Sequence, residues 1–310
     1  MYHLATVFPF IRRFRLPLLR DQVMLLMVAV NGILLGVEHY MAHLISGTIR
    51  PTEWLPIIFG LATGALVFLF GMTPLRKRRF APFLITGLLL VSIGVGLLGT
   101  YFHLVRAMLP TAPVGERLSV EMLIWSPPIL GPLTASLVGL LGLMAVWQET
   151  QPDNGVWALP GGRSLHLPIG KTQLYFLVIG LAALATLVSS VLDHARGGFV
   201  NPWVWVPTAV GTFGAVVGMM LGATEKPTRA DLAVYVAAML LMVAVGVVGV
   251  VLHLDFDLTA RGEIVIERFL RRAPIIAPLL FADIATLGLI VLLDPGAASD
   301  RIAGRNPQGR

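Results

Sequence analysis

Residues 82–104 read PFLITGLLLVSIGVGLLGTYFHL, and residues 232–254 read LAVYVAAMLLMVAVGVVGVVLHL. Neither stretch contains Asp, Glu, Lys or Arg. About 20 consecutive apolar residues wound as a helix reach across the hydrocarbon core of a bilayer. A helix also satisfies its own backbone hydrogen bonds there, as lipid requires. The alternating polar residues of a barrel strand are missing from both. Both stretches end on the same pair, His103-Leu104 and His253-Leu254. That shared ending organises the reading of the rest of the chain.

Working outward, similar apolar stretches fall at 22–44, 54–74, 127–147, 173–194, 203–223 and 274–293. With the two above they predict an all-α integral membrane protein of eight transmembrane helices. Of the 310 residues, 56% are hydrophobic and 13% charged, where a soluble domain carries about 25% charged residues. That deficit excludes a soluble enzyme, a disordered tail protein and a nucleic-acid binder, despite the net charge of +6. The expected partner is the lipid bilayer, with no nucleic acid. The chain has no Cys, which removes disulfides, iron–sulfur clusters, thiolate zinc sites and covalently attached haem.

The basic residues are read as topology. With the N-terminus inside, that side holds Arg12, Arg13, Arg15, Arg20, Arg76, Lys77, Arg78 and Arg79. It also holds Arg163, Lys171, Lys226, Arg229, Arg301, Arg305 and Arg310. The outer side holds Arg50, Arg106, Arg117, Arg196, Arg261, Arg268, Arg271 and Arg272. The excess predicts a multi-pass cell-membrane protein with both termini cytoplasmic. The N-terminal segment has no small-residue cleavage site after its apolar run, so it is not expected to be a signal peptide.

Rare residues recur at a nearly fixed spacing. Glu38-His39 and Asp193-His194 are offset by 155 residues, and Trp54-Leu55-Pro56 and Trp205-Val206-Pro207 by 151. His103 and His253 are offset by 150. Glu121 with Pro128-Ile129-Leu130-Gly131-Pro132 and Glu267 with Pro274-Ile275-Ile276-Ala277-Pro278 are offset by 146. This predicts two tandem four-helix bundles of like orientation, a parallel internal repeat. The expected domains are 1–147 as the first repeat and 148–172 as a cytoplasmic linker containing the Pro160-Gly161-Gly162 turn. Residues 173–293 form the second repeat and 294–310 a cytoplasmic tail.

Under that topology Glu38, His39, His103 and Glu121 share one depth, near the extracytoplasmic face. Asp193, His194, His253 and Glu267 repeat the set. Ionisable residues in membrane spans are costly and usually face a bundle interior. Two imidazoles and two carboxylates from facing helices suit Fe or Zn, so these eight residues are the candidate metal ligands. The site would be redox-active or part of an electron-transfer assembly. Alternatively His39 with His103, and His194 with His253, are axial pairs for b-type haem. A further alternative is a quinol site, with quinone or other membrane subunits as partners. In architecture this is similar to the quinol-oxidising membrane subunits of polysulfide-reductase-type enzymes, although no motif is shared. A parallel-repeat transporter is the remaining reading, against which the polar residues gather at one face rather than the midplane. The competing plain reading is that each residue is merely solvated at headgroup level.

Lesser signals are Asp283 in the middle of the eighth span, with Leu137 in register, and Asn31, expected to make an interhelical hydrogen bond. His43 lies one turn from His39 and is an optional extra ligand. Asp255 and Asp257 read as solvated loop acids. Gly60 with Gly64, and Gly214 with Gly218, mark close helix packing.

Overall fold

The computed structural model describes residues 4–10, 18–45, 47–73, 79–259, 268–271 and 273–293. The helices are α1 (Leu4–Val7), α2 (Arg20–Ile45), α3 (Trp54–Met72), α4 (Ala81–Ala107), α5 (Val120–Trp125) and α6 (Leu133–Val146). Then come α7 (Lys171–Ala195), α8 (Trp205–Gly222), α9 (Arg229–Thr259), α10 (Arg268–Arg271) and α11 (Ile276–Val291). Among the described residues, 6 helices are long and apolar enough to cross a membrane. Their outward faces carry large exposed apolar side chains such as Phe83, Leu84, Val247 and Val251. In water such surface would aggregate; in lipid it is the solvated face.

The fourth and eighth expected spans differ from this. α6 has 14 residues and α11 has 16, short of the stretches 127–147 and 274–293. The cause is proline. Pro127, Pro128 and Pro132 lack backbone N–H groups and resist continuing a helix from the preceding residues. Helix therefore starts at Leu133, after a separate short α5 whose N-cap is Ser119. Pro274 and Pro278 have the same effect at the start of α11, where Pro278 is accommodated in the first turn.

Helix pairs pack in matching fashion. α2 lies on α3 and α7 on α8; α4 lies on α6 and α9 on α11; α2 touches α6 as α7 touches α11. The closest approaches use glycine. A methyl on Gly64 would sit 2.7 Å from the Ala29 carbonyl oxygen, and one on Gly218 would sit 2.9 Å from the Gly180 Cα. Gly96 and Gly99 of α4 meet Pro132, and Gly246 and Gly249 of α9 meet Pro278. One continuous core joins both halves, running through Met24 and Val28 of α2, Leu141 of α6, Ile179 of α7 and Ile284 of α11.

The segment between α6 and α7 is more than a linker. It forms a three-stranded antiparallel sheet, β1 (Gln148–Glu149), β2 (Val156–Ala158) and β3 (Ser164–His166). The turn expected at Pro160-Gly161-Gly162 joins β2 to β3, with Gly161 and Gly162 at φ 90 and 78. Trp157 on β2 is 2% exposed and meets Trp147 edge to face. Glu149 accepts backbone N–H bonds from Asp153, Gly155 and Lys171, so the sheet is tied to the start of α7.

At that same end lies a buried ionic cluster. Arg20 donates to Thr172 at 2.7 Å, and Lys171 donates to Asp21 at 2.6 Å and to the Trp147 carbonyl at 2.9 Å. The Arg20 guanidinium stands 5.2 Å from the Tyr175 ring centroid, and Lys171 Nζ 5.5 Å from that of Trp157. Arg20 and Lys171 each open the first long helix of their half, 151 residues apart. Deeper in the interface, Asn31 of α2 donates to Asp283 of α11 at 3.1 Å. The sequence singled out both residues separately, and the fold makes them one pair.

Candidate functional site

The ends of α2, α4, α7 and α9 opposite the ionic cluster carry the histidines. Two of them are held alike. The Nδ1 of His103 lies 2.8 Å from the Pro128 carbonyl oxygen, and that of His253 lies 3.0 Å from the Pro274 carbonyl oxygen. A carbonyl only accepts, so Nδ1 carries the proton and donates. Nε2 is then the nitrogen with the lone pair. The arrangement follows from the helix breaks: residues between α5 and α6 leave carbonyls with no helical donor, and a histidine of the adjoining long helix supplies one. His39 makes a comparable bond from Nδ1 to the Leu35 carbonyl within its own helix.

His43 Nδ1 lies 3.7 Å from Glu53 Oε2, and the His39 and His43 rings stack at 6.5 Å between centroids. His194 Nδ1 lies 3.3 Å from Ser190 Oγ, and its ring meets Phe199 edge-on. Each half carries histidines near the ends of its first and third long helices. In each case those two helices stand diagonally, both flanked by the second long helix and by the short one.

The helix bounds also change which residues correspond. α2 and α7 start 151 residues apart and have 26 and 25 residues. The 3-10 turns that follow, at Pro51 and Pro202, keep that offset. So do Gly47 and Gly198, both at positive φ. An offset of 155 at the helix ends would need four extra residues in α7, and α7 is the shorter of the two. His194 therefore stands at the position of His43, and Ser190 at that of His39. On that offset of 151, His43, treated from sequence as an extra, is the residue in register with His194.

The carboxylates are dispersed. Glu38 is half-buried on α2, and Glu121 is exposed in the first turn of α5. Asp193 lies 3.7 Å from Arg196 one turn on. Glu267 lies outside the described residues. Asp257, expected to be solvated, is 1% exposed on α9, and Arg268 donates to its backbone carbonyl. Among the described residues, no three His, Asp or Glu side chains converge closely enough to hold a metal ion. The described members of the eight-residue His/carboxylate set therefore do not assemble as a ready-made ligand cage.

Two features of this end were not singled out from sequence. Arg196 reaches from the end of α7 to the carbonyls of Ile124 and Ser126, at 2.7 and 3.1 Å, and so clamps α5. Below the histidines, a small cavity opens between α2, α3, α4 and α6, lined by Gly32, His39, Gly60, Thr63, Ser92 and Ala135 among others. Gly60, read from sequence with Gly64 as a mark of close helix packing, was the sequence signal nearest to it.

Comparison with protein-family models, with curated proteins and with solved structures finds no match for this chain.

Proposed function

We propose that the chain is a tandem duplication of a four-helix membrane unit, and that each half bonds a redox metal centre through histidine Nε2 atoms at one membrane face. The duplication is supported by matched contacts at matched spacings: His103 on Pro128 with His253 on Pro274, and Gly99 on Pro132 with Gly249 on Pro278. The observation that carries the site is the pair of Nδ1 bonds to proline carbonyls. Histidines that ligate metals characteristically give their other ring N–H to a carboxylate, a carbonyl or water, which fixes the tautomer and aims the ring. His43 with His103, and His194 with His253, are the ligand pairs in this reading. Two histidines from diagonal helices are the number that b-type haem requires; a non-haem iron centre needs further ligands from Glu38, Glu53, Asp193 or elsewhere, and zinc, which has no redox chemistry, would make the site structural instead. The metal would supply electron transfer, and the chain's own residues supply ring orientation and a low-dielectric setting.

A second reading rests on the same lone pair. Nε2 of a histidine with a donating Nδ1 is a proton acceptor, as a quinol site at the membrane face requires.

One preparation tests both. The protein is purified in detergent, and its absorption spectrum and metal content are measured for wild type and for His103→Ala with His253→Ala. About two equivalents of metal, lost in the double variant, are expected. A Soret band identifies the centre as haem. Metal-free wild-type protein sinks the metal reading and leaves the proton-acceptor one, for which quinol-analogue binding sensitive to the same double variant is the measurement.

A further inference from the structure

The cavity beside His39 is walled mainly by apolar side chains, and Thr63, Ser92 and His39 are the polar groups on its lining. Thr63 on α3 is 3% exposed, and its hydroxyl has no hydrogen-bond partner among the described residues. A buried hydroxyl left unpaired is costly. Ser92 on α4 donates its hydroxyl proton to the Ala135 carbonyl at 2.9 Å, so its oxygen is left to accept. His39 donates from Nδ1 to Leu35, so its Nε2 accepts. The lining therefore offers one donor and two acceptors. The space open to the centre of a water molecule is about 20 Å³, and one water needs roughly 10–15 Å³ on that measure.

The other half shows what an apolar version looks like. At the helix positions of Thr63, Ser92 and Ala135 stand Gly214, Met242 and Phe281, using the offsets of 151, 150 and 146. Met242 is 0% exposed and fills the space against Gly214, and the ring of Phe281 packs on Gly211. Ser190 replaces His39. The second half has thus exchanged every polar group of the cavity wall for filling or for a small alcohol.

We propose that the first half holds a specific binding site for one small hydroxylic molecule, water in the resting protein, bonded by Thr63, Ser92 and His39, and that the second half lacks it. A water accepting from Thr63 and donating to His39 Nε2 and Ser92 Oγ makes the three hydrogen bonds typical of buried water. It gives the His39 imidazole a proton-exchanging neighbour below the membrane face. The proposal uses the duplicated register only for the comparison of halves and does not depend on a metal.

Thr63→Val separates a hydrated site from a dry one by sign. If water bonds the hydroxyl, the variant loses those bonds and its unfolding midpoint in detergent falls by a few degrees. If the cavity is dry, removing an orphan hydroxyl raises the midpoint, and the proposal is overturned. Infrared difference spectra in D2O give the second measurement. A band of isolated bound water, present in wild type, is expected to vanish in Thr63→Val and in the plugged variant Ser92→Met with Ala135→Phe. Wild type lacking that band overturns the proposal, whatever the metal content of the protein.

Discussion

The two ends of the helix bundle bury ionisable groups in opposite ways. At the sheet-covered end Arg20 and Lys171 are 2% and 1% exposed, and each is hydrogen-bonded to partners from the other half. At the histidine end the imidazoles are half-buried, and each described bond of His103 and His253 uses one ring nitrogen while leaving the other to act. Fully saturated charges specify how two halves dock. Half-saturated imidazoles keep a lone pair for chemistry.

This contrast is breakable, and the largest effect belongs to the ionic end. Lys171→Met takes the 2.6 Å partner from Asp21 and leaves that carboxylate to Arg20 alone, at 3.2 Å; breaking a buried pair costs about 3–5 kcal/mol, and the remaining cation sets the expectation at the lower end. Thermal unfolding of the detergent-solubilised protein should fall accordingly, with unchanged ligand content per folded molecule. A small loss would mean that the cluster is not holding the halves together. Next is Gly64→Val, which forces α2 and α3 apart where a Cβ meets the Ala29 carbonyl at 2.7 Å. Overpacking of this kind costs about 1–3 kcal/mol, read as a lower unfolding midpoint. Asn31→Leu removes the partner of Asp283, for about 1 kcal/mol on the scale of interhelical hydrogen bonds in membranes. Smallest in stability are His103→Ala and His253→Ala, about 0.5–1.5 kcal/mol each for one net hydrogen bond. Those two should abolish metal or quinol binding while barely moving the midpoint. A histidine variant as damaging as Lys171→Met would erase the distinction between the ends.

The long helices were legible because their stretches carry at most one charged residue each, Glu38 in 22–44 and Asp193 in 173–194, and lipid leaves such a segment no other structure. The packing of α4 on α6 and α9 on α11 was legible through the proline and histidine offsets of 146 and 150, since those residues are rare and sit at the contacts themselves. The register of the first helices was not. Glu38-His39 and Asp193-His194 resemble each other as dipeptides, and only the helix bounds reveal that His43 is the residue level with His194. Arg20 and Lys171 were counted as topology signals, because nothing in a sequence distinguishes a snorkelling cation from one that finds a carboxylate in another helix. Strands of two or three residues carry no period, so the sheet around Trp157 was hidden in a loop. The Thr63 cavity depends on Met242 and Phe281 being absent from its half, a difference visible only once positions are aligned in space.

The short central helices have a consequence for the bilayer. At about 1.5 Å per residue, the 14 residues of α6 span about 21 Å against a hydrocarbon layer of about 30 Å. Pro132 packs level with Gly99 of α4, about 12 Å before that helix ends at Ala107. Non-helical backbone is thus placed at membrane depth, where it survives only if enclosed by protein or reached by water. The proline-bounded breaks before α6 and α11 are walled by the long helices beside them, where Gly99 meets Pro132 and Gly249 meets Pro278. Those two glycines therefore do a membrane job as well as a packing one: they let a long helix press against the break and keep lipid from its open backbone.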